Sequence, residues 1–213
     1  MPTRADQRVA VFIDAQNMYH SAKHLYGARV NFAALVDAAA AGRPVIRAVA
    51  YVAKSKTGEE QGFFEALLQN GIQLKIKDVQ EFASGEKKAD WDVGMAVDAM
   101  SIAPRVDAIV LVTGDGDFVP LVEYLRGHGV LCEVAAFAES TNAKLREIAD
   151  NFLDVSSDPE QFLIQSRNHH EGTKSLGGSR ARPQKNVRRH SDNESDNGGL
   201  PAAAGLRKIR ITY

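Results

Sequence analysis

Cysteine is nearly absent from this 213-residue sequence, and apolar runs long enough to cross a membrane are absent altogether. The single cysteine, Cys132, excludes an internal disulfide and a cysteine-based zinc site, and its apolar neighbours predict a buried thiol. No run approaches the roughly 18 apolar residues that span a bilayer, and the first residues lack the apolar stretch and cleavage site of a secretion signal. We therefore expect a soluble, cytoplasmic protein without membrane contact.

Net charge is also small, −1, but the two signs are unevenly distributed along the chain. Residues 1–155 hold 16 basic and 21 acidic side chains, whereas residues 156–213 hold 10 basic and 6 acidic ones. A mildly acidic segment therefore precedes a basic tail. Because a net acidic surface repels nucleic acid, nucleic-acid binding by the first segment would require local basic residues.

Five apolar runs of strand length alternate with helix-like segments. Because only strands covered on both faces are continuously apolar, the alternation predicts a mostly parallel sheet inside a three-layer α/β/α sandwich. Four helix-like segments end at a glycine in the position of a left-handed C-cap, and Thr141 or Asn142 can begin the last helix. Around Ser84 and Gly85 we expect a small hairpin or a mobile loop. The predicted strands are 8–14, 45–53, 72–79, 107–114 and 130–138.

The composition changes at Asp158 and Pro159. Residues 158–213 are polar and rich in glycine, with too few aliphatic side chains to offset the conformational entropy of folding. We therefore predict a domain over residues 1–157 and a disordered basic tail over residues 158–213. The cations of the stretch SRARPQKNVRRH could bind an RNA backbone or a protein partner, and a solubilising linker explains the composition equally well.

Aspartates occur where a parallel sheet would bring them together. Asp14 ends the first strand, and Asp115 and Asp117 follow the fourth. Asp90 and Asp92 open the helix that precedes the fourth strand. Since ligands bind at the carboxyl ends of parallel strands, and since clustered carboxylates repel each other without a cation, we expect one shared acidic site.

Structural roles explain some of these aspartates. A helix cap accounts for Asp90 better than a functional role does. A turn accounts for one carboxylate of the pair Asp115 and Asp117, but not for both. Asp98 lies mid-helix and does not share a face with Asp92, so we expect it in a salt bridge, exposed to solvent, or in an indirect supporting role.

Carboxylate ligands without a nearby cysteine or histidine favour a hard divalent cation, Mg²⁺ or Mn²⁺. Such an ion polarises a phosphoryl group and activates water, which is the chemistry of metal-assisted phosphodiester hydrolysis. Basic residues near the expected site are candidates to bind the substrate, although a solvated lysine is an equally good interpretation of each. These lysines are Lys54, Lys56, Lys87 and Lys88.

Four motifs occur in order over residues 8–155: VFIDAQNMYH, KKADWDVGMAVDAM, IVLVTGDGDFVPLVEYLRGHGVLCEV and LREIADNFLDV. Together they closely resemble the LabA-like branch of the NYN domains, within the PIN-like nuclease group. The resemblance implies a PIN-like α/β/α fold and a metal-dependent ribonuclease site built from acidic residues. Because PIN-like domains often pair, it also suggests a homodimer.

The resemblance implies roles by motif position. Asp14, Asp92 and Asp115 would be direct or water-mediated metal ligands. Asp117 would complete the cluster or orient the attacking water. Asn17 would hydrogen-bond a ligand carboxylate or a substrate phosphate, although a local cap of its helical turn explains it as well.

Thr113 stands where the family often has serine or threonine, and we assign it to substrate binding together with Lys54, Lys56 and Lys88. The sequence therefore predicts a Mg²⁺- or Mn²⁺-dependent ribonuclease that hydrolyses RNA phosphodiester bonds. The alternative is a non-catalytic regulatory or RNA-binding protein with the same fold. A nucleotide-binding Rossmann domain is disfavoured, because the first strand is not followed by a glycine-rich loop.

Overall fold

The computed structural model describes residues 4–54, 60–78, 80–81, 87–88 and 90–165. Within this part of the chain a six-stranded sheet is flanked by helices, which confirms the predicted α/β architecture. In chain order the elements are β1 (Val9–Asp14), α1 (Ala15–Tyr26), β2 (Arg29–Val30), α2 (Phe32–Ala40), β3 (Val45–Lys54), α3 (Gln61–Gln69), β4 (Gln73–Asp78), β5 (Gln80–Glu81), β6 (Lys87–Lys88), α4 (Asp92–Ile102), β7 (Ala108–Val112), α5 (Val119–Gly127), β8 (Leu131–Ala136), α6 (Ala143–Ile148), β9 (Asn151–Asp154), α7 (Pro159–Phe162) and β10 (Leu163–Ile164).

The sheet has the strand order β4-β3-β1-β7-β8-β9, and all of its pairings are parallel. The chain first extends the sheet from β1 through β3 to β4 and then continues on the other side of β1 with β7, β8 and β9. The strand order therefore reverses at the β1–β7 boundary. Ligands of open parallel sheets bind at such a reversal, beyond the carboxyl ends of the strands.

The two central strands are apolar because both of their faces are covered. Every residue of β7 is buried, and so is every residue of β1 except the last, Asp14. The carboxylate of Asp14 is thus the first polar group at the end of an otherwise apolar strand.

Cys132 in β8 is also fully buried, as predicted, and burial raises the pKa of its thiol well above the ordinary value.

All five predicted strands are present as β1, β3, β4, β7 and β8. The sixth strand of the sheet, β9, was not predicted. It has only four residues, none of them fully buried, so it lacks the continuous apolar run of the inner strands. Strands β5 and β6 pair antiparallel, which confirms the hairpin, while Ser84 and Gly85 lie outside the described residues.

The start of the last predicted helix is decided by a side chain. Asn142 caps α6, and its Oδ1 accepts hydrogen bonds from the backbone N–H groups of Lys144 and Leu145 at 2.9 and 3.2 Å. Thr141 instead donates its hydroxyl to the carbonyl of Phe137 at 2.7 Å. Of the two residues proposed from the sequence, Asn142 is therefore the cap.

Residues 158–165 differ from the prediction of a disordered tail, because they form α7 and β10. Phe162 and Leu163 are buried against the core, and β10 pairs antiparallel with β2. These two apolar side chains supply the burial that the rest of the tail sequence lacks. The remainder of the predicted tail, from residue 166, lies outside the described residues.

An ion pair is buried beneath the sheet's covering helices. Arg43 and Glu133 are 4% and 5% exposed, and the guanidinium binds the carboxylate through two hydrogen bonds of 2.7 and 2.8 Å. Arg43 also donates to the last carbonyls of α2, at Ala39 and Ala40. The pair therefore connects the end of α2 to β8.

Among the described helices, none combines the length and the apolar character that crossing a membrane requires.

Candidate metal centre

The candidate centre lies at the carboxyl ends of β1 and β7, where the strand order reverses. Ile13 is paired with Val112, so the chain leaves both strands at the same level of the sheet. Asp14 follows directly on one strand, and the loop Thr113–Asp117 follows on the other. Helix α4 begins nearby with Asp92.

Three of the predicted aspartates meet here. One carboxylate oxygen from each of Asp92, Asp115 and Asp117 lies within 4.8 Å of the others. Asp92 and Asp115 are half-buried, and Asp117 is exposed. Oxygen donors at this spacing, with Asp117 open to solvent, fit a hard divalent cation that keeps part of its water shell.

Asp14 stands next to this cluster. Burial is the main cause that raises the pKa of its carboxyl, opposed by a hydrogen bond from the backbone N–H of Asn17 and assisted by the charge of Asp115. The charge of Asp14 in turn helps to raise the pKa of Asp92. The site therefore concentrates negative charge from β1, β7 and α4 in one partly buried place.

The carboxyl of Asp92 is the most perturbed of this group. Burial, then the neighbouring carboxylate of Asp90, and then the charges of Asp14 and Asp115 raise its pKa from 3.8 to about 7. Without a counter-ion, Asp92 therefore binds a proton more tightly than an isolated aspartate does. A bound cation would remove the need for that proton.

The aspartates also hold their own loops together. The carboxylate of Asp14 accepts from the N–H of Asn17 at 3.0 Å and caps α1. That of Asp115 accepts from the N–H of Asp117 at 3.0 Å. Asp90 accepts from the N–H of Asp92 at 2.9 Å, in agreement with the structural role expected for it. These bonds fix the backbone while each carboxylate keeps further acceptor capacity.

Asn17 makes a contact that the sequence did not indicate. Its Oδ1 accepts a hydrogen bond of 2.9 Å from the backbone N–H of Gly114. The side chain thus joins the first turn of α1 to the loop after β7, instead of capping its own turn. Its predicted bond to a ligand carboxylate or a phosphate would have to come from the remaining amide group.

Thr113 differs from its predicted role in substrate binding. The residue is fully buried, and its Oγ1 accepts from the backbone N–H of Asp115 at 3.2 Å. A side chain without solvent exposure cannot touch a substrate in this conformation. Thr113 therefore supports the turn that carries Asp115.

Close packing explains the glycines of the loop. A Cβ at Gly114 would lie 3.1 Å from the backbone of Thr141, and a Cβ at Gly116 only 2.5 Å from Nδ2 of Asn142. The N–H of Asn142 also donates to the carbonyl of Gly114 at 2.9 Å. Side chains at either position would push the loop with its carboxylates away from the start of α6.

The start of α4 is held in place by two contacts. Trp91 donates its indole N–H to the carbonyl of Val52 at 3.0 Å. Lys77 donates to the carbonyl of Asp90 at 2.8 Å and lies 5.6 Å from the centre of the Trp91 ring. Asp92 is therefore positioned by β3 and β4. Lys77 was not predicted, although it lies near the end of a predicted strand.

The predicted substrate lysines are only partly described. Lys54 is exposed at the end of β3. Lys56 lies outside the described residues, and Lys88 is described by its backbone in β6 alone.

Asp98 forms a salt bridge of 2.6 Å with Lys75 and accepts a hydrogen bond of 2.5 Å from the Tyr51 hydroxyl, so the salt bridge expected for it is present.

An open pocket of about 400 Å³ adjoins Asp117. It lies between the starts of α5 and α6 and is lined by Gly116, Asp117, Val119, Pro120, Asn142 and Lys144. The residues from α6 were not among the predicted site residues. The only sequence signal was their place after the fifth predicted strand, at the same sheet edge.

Comparisons with known proteins show the family and the fold of this chain. The NYN domain family matches residues 8–158. The "Low amplitude and bright protein LabA" of Synechococcus elongatus is 27% identical over 163 residues, which cover 70% of this chain and 84% of that protein. A crystal structure of a protein of unknown function from Vibrio parahaemolyticus has a TM-score of 0.69 and 30% identity, covering 77% of this chain and 100% of the other.

Proposed function

The chain belongs to the NYN domain family and is LabA-like, and from that premise we propose that it is a metal-dependent ribonuclease acting on RNA phosphodiester bonds. The observation that carries the proposal is the convergence of Asp92, Asp115 and Asp117 within 4.8 Å, at the place where the strand order reverses. Asp14 adds a fourth charge beside them.

These aspartates would hold Mg²⁺ or Mn²⁺. The donor set fits such an ion because it is made of carboxylate oxygens and includes an exposed member, Asp117, on the solvent side. When bound, the ion would withdraw charge from the phosphoryl oxygens and favour attack by water. The raised pKa values of Asp14 and Asp92 support the proposal, since they reflect carboxylates placed together at an energetic cost.

Asp117 would complete the cluster or orient the attacking water, because its carboxylate is the exposed one. The other residues of the site have positioning or binding roles in this proposal. Asn17 and Thr113 would fix the loop that carries Asp115. Lys54 would contact the RNA backbone from the end of β3, together with Lys56 and Lys88.

A non-catalytic regulatory or RNA-binding protein is the second candidate. It is supported by the hydrogen bonds that Asp14, Asp90 and Asp115 make to nearby backbone N–H groups, which give these carboxylates a use in folding without any reaction. In this case the carboxylates would serve only to hold the shape of their own loops. The two candidates differ in whether RNA is cut.

Cleavage of a mixed pool of end-labelled single-stranded and structured RNAs separates them. The pool is incubated with the wild type in Mn²⁺, Mg²⁺ or EDTA, and with an Asp14→Asn, Asp115→Asn double variant. Asp37→Asn serves as the control, because Asp37 is exposed on α2 and takes no part in the site. Cleavage that needs metal, persists in the control and disappears in the double variant supports the ribonuclease. Equal cleavage by the double variant contradicts it.

A further inference from the structure

The pocket beside Asp117, here called the flanking pocket, has features of a ligand site that the aspartates do not use. Its volume of about 400 Å³ is within the range of small-molecule pockets. Val119 and Pro120 give it an apolar side, whereas Asn142 and Lys144 give it a side of hydrogen-bond donors. A nucleotide offers the same two kinds of surface, a flat base or sugar and a charged phosphate.

The amide group of Asn142 is oriented by the capping of α6. Because its Oδ1 accepts from two backbone N–H groups, the Nδ2 group is turned toward Gly116. This donor hydrogen-bonds to none of the described residues. A phosphate or a sugar hydroxyl in the flanking pocket would supply the acceptor.

Lys144 is the cation of the flanking pocket. Its ammonium lies 3.3 Å from a carboxylate oxygen of Glu123, and the two side chains are 62% and 56% exposed. Exposed pairs of this kind are weak, so a phosphate group can displace Glu123. Its positive charge then lies near Asp117, the aspartate that the flanking pocket shares with the cluster.

We propose that the flanking pocket binds the RNA nucleotide next to the bond at the aspartate cluster, with Lys144 holding its phosphate, Asn142 donating a hydrogen bond, and Val119 and Pro120 contacting the sugar or base. This inference rests on the proposed ribonuclease function for the identity of the ligand. It adds the residues that place the strand. Lys144 acts in binding and not in bond cleavage.

Binding in EDTA tests the inference without turnover. A fluorescently labelled single-stranded RNA of ten nucleotides is titrated with the full chain, and affinity is followed by anisotropy at several salt concentrations. Lys144→Ala is expected to weaken binding about tenfold and to reduce the salt slope by about 0.7, the effect of losing one phosphate contact to a single strand. Lys144→Arg should retain most of the affinity.

Arg105→Ala is the matched control. Arg105 is an exposed cation before β7, at the opposite edge of the sheet from the cluster, and should leave affinity unchanged. Glu123→Gln should strengthen binding, because it removes the carboxylate that competes for Lys144, and the gain should vanish in the Lys144→Ala background. A general structural effect of Lys144→Ala would not remove that gain.

NMR gives a signal that is specific to the flanking pocket. Addition of a short RNA should shift the side-chain amide resonances of Asn142, whatever the tail binds. Loss of affinity in Lys144→Ala, without loss in Arg105→Ala, supports the flanking pocket even if no RNA is ever cut. Equal affinity of the two variants overturns it while leaving metal-dependent cleavage intact. Failure of the wild type to bind RNA overturns the pocket alone, because the cleavage assay with Mn²⁺ or Mg²⁺ decides the proposed function separately.

Discussion

The side-chain oxygen of Asn17 accepts a 2.9 Å hydrogen bond from the backbone N–H of Gly114, and it thereby joins helix α1 to the loop after β7. Asp14 caps the same helix by accepting from the N–H of Asn17. One residue thus connects the aspartate of the first strand with the loop that carries Asp115 and Asp117. The relative position of the carboxylates depends on this connection.

Asn17→Ala should therefore destabilise the protein. Gly114 is buried, so the substitution leaves its N–H without an acceptor, which costs about 1–3 kcal/mol. Urea unfolding gives the change in free energy, with Asn151→Ala as the control because Asn151 is the exposed first residue of β9. An unfolding midpoint equal to that of the wild type would show that the contact does not hold the loop.

Gly116→Ala should displace the start of α6. The new Cβ would lie 2.5 Å from Nδ2 of Asn142, which must move out of the flanking pocket. We expect lower stability and weaker RNA binding in the anisotropy titration. Gly62→Ala is the control, because a Cβ there meets nothing within 4 Å and alanine favours the helix by about 1 kcal/mol. Unchanged stability of Gly116→Ala would contradict the described packing, and normal RNA binding would contradict the role of Asn142 in the flanking pocket.

Glu133→Ala should be among the most destabilising substitutions. It leaves the buried guanidinium of Arg43 without its carboxylate, and breaking a buried pair costs about 3–5 kcal/mol. The exposed pair of Arg8 and Asp107 provides the comparison, since solvent screens this pair and Asp107→Ala should therefore destabilise the protein much less. Chemical denaturation measures both. Similar losses for the two variants would mean that burial does not set the strength of the Arg43 pair.

The contribution of Asp92 to the stability of the metal-free protein should fall as the pH rises from about 4 to about 7. Burial and neighbouring carboxylates raise the pKa of Asp92 from 3.8 to about 7, so the folded state binds this proton more tightly than the unfolded state. The contribution is complete below pH 4, is lost through this window and stays constant above it. Unfolding in EDTA across the pH range should show a smaller decline for Asp92→Asn than for Asp37→Asn. Identical declines would contradict the assigned cause.

Much of this arrangement follows from sequence pattern. Asp14 and Asp115 were expected together because both follow apolar strands, and parallel strands end at one edge. Glu133 within an apolar strand was a visible sign of a buried partner, but its partner Arg43 lies 90 residues away, and no local pattern links them. Strand β9 is too short and too polar to have been recognised.

The remaining differences between the sequence-based prediction and the structure concern the direction of side chains. Thr113 is one residue beyond β7, and the sequence does not reveal that its hydroxyl turns inward to the N–H of Asp115. The approach of Asn142 and Lys144 to Asp117 depends on how the loops after β7 and β8 pack against each other. Such packing is a tertiary property that periodicity does not contain.

A calorimetric titration of Mn²⁺ tests the central claim most directly, because metal binding does not depend on which RNA is the substrate. The wild type and Asp37→Asn should each bind Mn²⁺ with the same affinity, and Asp115→Asn should bind it at least about tenfold more weakly, since a ligand charge is lost from the cluster. Equal Mn²⁺ affinity in Asp115→Asn and the wild type, or no binding by the wild type, would contradict the account.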